Sequence, residues 1–177
     1  MDTPQIEHRK IWETERLVLR PLEPADLDTL HELYRDAVVM QYILGRPRSY
    51  EETRQRLAHH VADFEQHGFG LYAAILKSSG AMVGRCGLEP VSGAGGLQGE
   101  LAWMFAPAVW GQGLASEFAP AMIRHGFARF PIVRMFATAD HRNVASIRVM
   151  RTSGMTLVRT DQRGVEYEIW PPPRPTP

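Results

Sequence analysis

The chain is 177 residues and 20.0 kDa, long enough for one domain whose core needs no metal or disulfide staple and too short for two ordinary ones. Hydrophobic residues make up 44%, charged residues 23% and aromatics 9%, a globular composition that excludes disordered and fibrous classes. Twenty Lys and Arg balance twenty Asp and Glu, so no basic footprint covers the whole surface, and neither direct nucleic-acid binding nor membrane-surface binding is expected.

Residues 1–14 are polar and unpatterned and read as an N-terminal extension without a secretory signal. The domain is expected over 15–170, followed by a Pro-rich tail at 171–177. Arg16 to Arg20 alternates and stops at Pro21, which predicts a first strand. Pro24 opens a helix whose apolar stripe, from Leu27 through Leu30, Leu33 and Tyr34, continues to Val38. Ser49 and Glu52 form the Ser-x-x-Glu capping box of a second helix with Leu57, Val61 and Phe64 on its buried side, ended by Gly68. The apolar runs 69–76 and 81–88, joined by the short turn 77–80, predict a β-hairpin. Residues 92–99 are glycine-rich and read as a flexible loop. A strand at 100–106, apolar at nearly every position, should be covered on both faces. Residues 114–127 carry a third helix, in which Pro120 predicts a kink. A second buried strand at 132–138, a short helix from Asn143 to Thr152 and two strands near 155–160 and 164–170 complete the order β-α-α-β-β-β-α-β-α-β-β. The strand–helix–strand unit over 100–138 has the length of a crossover, so those two strands should run parallel within a mixed α/β sheet.

Two segments point to chemistry. At Trp110 to Glu117 a buried strand feeds a Gly-x-Gly turn, Gly111 and Gly113 about Gln112, that opens onto a helix. Close backbone approach and unpartnered first-turn amides suit an anion such as a pyrophosphate. The Rossmann pattern needs a third glycine after the first strand and the Walker A loop needs Gly-Lys-Ser/Thr, and neither is present. Asn143 then stands as an N-cap with Ser146 in the same first turn, at the carboxyl end of the parallel pair, where open α/β sheets bind ligands. Taken alone, each segment is equally a plain connection and a plain cap.

Together, in this order and separation, they resemble the GNAT acetyltransferase superfamily. The resemblance runs from the strand at Thr14 to Pro21 to the last strands and is nearest to the branch of ribosomal-protein N-terminal (alanine) acetyltransferases. It implies a single-domain fold with about seven strands, about four helices and a splayed parallel strand pair. It implies acetyl-CoA as co-substrate, with Trp110, Gly111, Gln112, Gly113, Leu114 and Ala115 around its pyrophosphate. The pantetheine arm would enter the splay against backbone near Met104, Phe105 and Ala106 and meet Asn143, with Ser146 near the thioester sulfur. The family loop often starts with Gln or Arg where this chain has Trp110. The tyrosine commonly proposed as general acid is absent from the Asn143 helix, which passes that role to Ser146 or to water.

Acetyl transfer to an amine needs a base, because α-amino groups titrate near ~8 and lysines near ~10.4. Glu100, at the head of the buried strand, is the first choice, Glu166 the second and Glu117 the third, the last better explained by the helix dipole. No residue resembles an acyl-enzyme nucleophile, so direct attack in a ternary complex is expected. Lone Cys86 excludes an internal disulfide and any cysteine-rich metal site. His59 and His60 with Asp63 read as a solvated helix face, so no metal is expected. His141 lies in a loop at the expected mouth and is a candidate substrate contact. No apolar run nears the ~20 residues of a membrane span, and the cytoplasm is the expected compartment. The acceptor, a protein N-terminus or a small amine, stays open, as does a homodimer. The alternatives are a catalytically silent acyl-CoA sensor of the same fold and a nucleotide-binding regulatory module.

Overall fold

The alternating run at Arg16 is a strand, but the sheet begins one strand earlier. In the computed structural model, which describes residues 11–93 and 95–172, β1 (Trp12–Glu13) pairs antiparallel with β2 (Leu17–Pro21). One large ring anchors this segment of the expected extension: Trp12 stacks on His125 with centroids 4.7 Å apart and meets Tyr72 edge-on at 6.1 Å. The rest of the extension, residues 1–10, and most of the Pro-rich tail, residues 173–177, lie outside the described residues.

Pro24 opens a short 3-10 turn that leads into α1 (Leu27–Tyr34). The apolar spacing predicts one helix to Val38, but the chain breaks at Arg35. Asp36 there caps a new helix, α2 (Ala37–Met40), by accepting from the Val38 and Val39 amides; a short carboxylate offers the backbone an alternative to continued helix that periodicity does not reveal. α3 (Tyr50–His67) has the expected start, a complete Ser49–Glu52 capping box, and the expected stop at Gly68.

β3 (Leu71–Leu76) and β4 (Met82–Gly93) form the predicted hairpin. The glycine-rich stretch, expected to be a loop, is mostly ladder. β4 runs to Gly93 and β5 (Gly96–Phe105) begins with Gly96 opposite it, since ladder bonds need only backbone and glycine carries no side-chain pattern to announce them. α4 (Leu114–Arg129) spans Pro120 without interruption. β6 (Arg134–Ala139), α5 (Val144–Thr152), β7 (Thr156–Asp161) and β8 (Gly164–Ile169) follow in the predicted order.

The sheet has eight strands in the order β1-β2-β3-β4-β5-β6-β8-β7, and five α-helices flank it among the described residues. Alternation sorts its two faces. Leu71 and Ala73 of β3 meet Leu30, Leu33, Met40 and Leu57 from α1–α3, whereas Tyr72 and Ala74 join Phe118, Met122 and Met150 from α4 and α5. α4 lies so close that a Cβ at Gly126 would stand 2.4 Å from Met135 Cε. β5 and β6 are parallel and pair only over Gln98–Glu100 and Arg134–Phe136. Beyond that point β5 stays with β4 to Phe105 and β6 stays with β8 to Ala139. The parallel pair therefore splays, as expected, and the opening sets the site.

Candidate active site

β5 leads through a 3-10 turn at Pro107–Val109 to Trp110 and the N-terminus of α4. Gly111 and Gly113 have φ of 74° and 81°, the left-handed region in which a side chain is strained. Gly113 is the N-cap of α4, and no side chain caps the helix. Among the described residues, no acceptor meets the amides of Gly111, Gln112 or Gly113. Leu114 and Ala115 add the first helical amides, which have no intrahelical acceptor either. The loop is therefore a set of backbone donors at the positive end of a 16-residue helix, a fit for a diphosphate.

What holds this loop is Arg16, whose Nη1 donates to the Gln112 carbonyl at 2.7 Å. Glu117 in turn holds Arg16, accepting from its amide at 2.8 Å and its Nε at 2.6 Å, and also from the Thr14 hydroxyl. Burial alone would push the Glu117 carboxyl up, but these donors outweigh it and hold its pKa below the usual range. Glu117, the third candidate base, is placed as a strut beneath the loop.

The strand edge differs from expectation in its parity. The Ala106 amide donates to the Val83 carbonyl at 2.8 Å, and Arg85 lies opposite Met104. In an antiparallel ladder a residue's N–H and C=O point the same way and alternate along the strand. Met104 and Ala106 are therefore turned toward β4, the Leu101 amide falls to the last rung with β6 at Phe136, and the amides of Trp103 and Phe105 face the opening. The Phe105 carbonyl on that side accepts from Trp110 Nε1 at 2.7 Å, which fixes the otherwise half-exposed indole. Of the three backbone positions assigned to the pantetheine arm, only Phe105 faces the gap, and Trp103 joins it.

A cavity of about 680 Å³ lies at the seam between β5 and β6 and is bordered by Glu100, Trp103, Thr138, Asn143 and Ser146. Asn143 caps α5 as expected: its Oδ1 accepts from the Ser146 amide at 3.1 Å, leaving its NH₂ for donation. Glu100 sits where β5 and β6 part and accepts from the Thr138 hydroxyl at 3.0 Å. Burial raises its pKa above the ordinary glutamate value. The Thr138 bond opposes this, the facing Glu89 adds to it, and Arg85 and Arg56 oppose it. A carboxylate so raised is a better proton acceptor than a solvated one.

Glu166, the second candidate base, lies opposite Thr138 on β8, but Arg134 and Arg159 hold it between two guanidiniums, and it does not border the cavity. His141 is likewise engaged elsewhere, its Nε2 2.6 Å from the Asp161 carbonyl. His60, expected on a solvated face, is 1% exposed. Burial, with Arg85 and Arg56 adding to it, pushes its pKa down to about 2, and neither ring nitrogen has a partner among the described residues. His59 does face solvent, 3.4 Å from Asp63. No group of metal-ligating side chains occurs among the described residues, and no helix there is long and apolar enough to cross a membrane. The buried Cys86 thiol is pushed up by desolvation and serves as a small apolar filler.

The residues that sequence reasoning missed are on the α1–α3 side of the cavity: Arg48, Arg56, Arg85 and Glu89. Arg85 and Glu89 interrupt the apolar run of β4 at i, i+4, which places both on one face of the strand. That charged pair inside a buried strand was the available signal.

Comparison with known proteins agrees with this geometry. The family model for an acetyltransferase (GNAT) domain matches residues 16–156. An uncharacterised protein of Bacillus subtilis, YkkB, is 34% identical over 148 residues, covering 83% of this chain and 86% of its own. A spermidine N(1)-acetyltransferase of Escherichia coli is 25% identical over 140 residues, covering 78% and 72%. The structure of a ribosomal L7/L12 α-N-protein acetyltransferase in complex with coenzyme A superposes with a TM-score of 0.76 at 20% identity, covering 91% of this chain and 98% of that one. At that identity the likeness is one of fold.

Proposed function

The chain belongs to the GNAT acetyltransferase family, whose members use acetyl-CoA, and on that premise we propose that it is an N-acetyltransferase acting on a primary amine by direct attack in a ternary complex. The observation that carries the reading is the splay itself: amides of Trp103 and Phe105 turned into a gap between strands, Glu100 at the point where the gap opens, and unpartnered loop amides at Gly111–Gly113. Bound acetyl-CoA supplies the thioester acetyl group.

The loop amides would hold the diphosphate against the helix dipole, and Asn143 would donate to the arm. The Trp103 and Phe105 amides lie where they could donate to a developing oxyanion. Glu100 takes the proton that keeps the incoming amine from being nucleophilic, directly or through one water, and its raised proton affinity suits that task. Ser146 stands at the same cavity to return a proton to the departing sulfur. A thiol leaving group with a pKa near ~8.5 departs with little help, so this step asks least of the protein.

The test is thiol release from acetyl-CoA with a panel of primary amines. Glu100→Gln should lower kcat/KM by about 100-fold or more, the ordinary range for removing a positioned base, while coenzyme A still binds. In the wild type the acid limb of the pH–rate profile should lie above an ordinary glutamate value. Equal turnover in E100Q would remove Glu100 as base. Tight coenzyme A binding with no amine acetylated would favour the sensor.

A further inference from the structure

The chain is formally neutral, yet its cavity is bordered by six arginines and three carboxylates. Three of the arginines are matched: Arg142 with Asp140 at 2.8 Å, Arg56 with Glu89, and Arg159 with Glu166 and Asp161. Arg163 is on the exposed β7–β8 turn at the outer rim. Arg48 and Arg85 remain, and they converge on one side chain: their guanidinium carbons lie 5.6 and 5.9 Å from the centre of the Tyr34 ring.

Arg85 is the more telling of the two. It is 6% exposed and donates from Nε to the Tyr34 hydroxyl at 3.2 Å. Its Nη1 is buried with no hydrogen-bond partner among the described residues. The Glu89 oxygen nearest to it is 3.9 Å away, beyond hydrogen-bond reach, on a carboxylate already engaged by Arg56. A buried donor left unmet costs on the order of 1–3 kcal/mol, which an acceptor supplied by a ligand at Nη1 would offset. Its planar fork matches a carboxylate or phosphate. Arg48 has no ion pair among the described residues and is only half-buried, so a second fork is available beside the first.

These cations are not needed for the coenzyme's diphosphate, because Gly111–Gly113 do not border this cavity. They share it instead with Glu100, the base. We propose that the acceptor is a small amine that also carries an anionic oxyacid group, carboxylate or phosphate, and that Arg48 and Arg85 bind that group while Glu100 faces the amine. The assignment rests on the acetyltransferase reading above. Glu100 faces Glu89 across the β4–β5 ladder, and Arg85 stands on the same strand and face as Glu89 with its head leaning toward it. Amine and anion in the acceptor are therefore a few carbons apart. A polyamine presents cations to the Arg48–Arg85 wall and is disfavoured there.

The experiment compares kcat/KM for matched amines: an amino acid against its carboxamide, phosphoethanolamine against ethanolamine, and spermidine apart. Calorimetry gives the Kd of the anionic member with coenzyme A present. The anionic member of at least one pair should win by about tenfold or more, roughly one charge-assisted bidentate contact. Arg48→Gln and Arg85→Gln should each bring that ratio to within about twofold, acting on KM and acceptor Kd rather than on the Kd of coenzyme A. Arg85 is buried, so Arg48→Gln, with rescue by Arg48→Lys, gives the same test where the Arg85 variant fails to fold. Preference for the neutral members or for spermidine, or a ratio that survives Arg48→Gln, overturns the proposal. If no amine of any class reacts while coenzyme A binds, the transferase reading falls with it, a result distinct from lost selectivity.

Discussion

The two ends of the site are built from different material. At the α4 end the groups on offer are backbone amides at Gly111–Gly113, shaped by two left-handed glycines and steadied from behind by Arg16 and Glu117. At the β4–β5 end they are side chains, Glu100, Arg48 and Arg85, gathered from a strand, its neighbour and a loop by register and helix cover. A backbone cradle depends on a short contiguous segment and serves any ligand with a diphosphate. A side-chain wall depends on long-range placement and can differ between relatives that share the cradle.

That contrast can be broken or sharpened by substitution. The largest effect is expected behind the cradle. Glu117→Gln removes an ionised acceptor of three bonds and should cost about 2–3 kcal/mol of stability and weaken coenzyme A binding, leaving the ranking of acceptors intact; denaturant unfolding and calorimetry read the two. At the other end, His60 is neutral in the fold with its pKa near 2. Above pH 6.5 it is neutral in both states and contributes no pH dependence. Below 6.5 the unfolded chain takes up a proton that the folded chain does not, so stability falls as pH falls. Between pH 7 and pH 5 that amounts to about 2 kcal/mol, which His60→Leu should abolish in paired urea titrations. Next, Gly113→Ala strains the left-handed position by about 1–2 kcal/mol and should raise the Kd of acetyl-CoA by about tenfold with acceptor discrimination unchanged. Smallest, Ser146→Ala at the seam should lower kcat by no more than about threefold, read by thiol release; a hundredfold loss would make the serine a required acid.

Legibility followed the same division. The Ser49 cap, the Gly68 stop, the hairpin at 77–80, the Gly-x-Gly loop and the Asn143–Ser146 turn are local, and short-range patterns carry them. β1 is two residues held by the packing of Trp12, which no periodicity signals. The break at Asp36 was hidden because the apolar stripe continues across it. The β4–β5 ladder through Gly93 and Gly96 was hidden because glycine leaves no alternation. The parity of β5, which turns Met104 and Ala106 toward β4 and Trp103 toward the gap, is fixed by one pairing register that only the assembled sheet supplies. Glu166 attracted attention by its position near the last strands, and the two arginines that occupy it come from β6 and β7.

The division of labour between cradle and split strands is tested most directly by amide hydrogen exchange with and without coenzyme A. Exchange at Gly111, Gln112 and Gly113, and at Trp103 and Phe105, should slow on addition of the ligand, while Met104 and Ala106, already bonded to β4, should stay as they are. Slowing at Met104 and Ala106 without change at their odd-numbered neighbours, or a loop whose exchange ignores the ligand, would contradict the account.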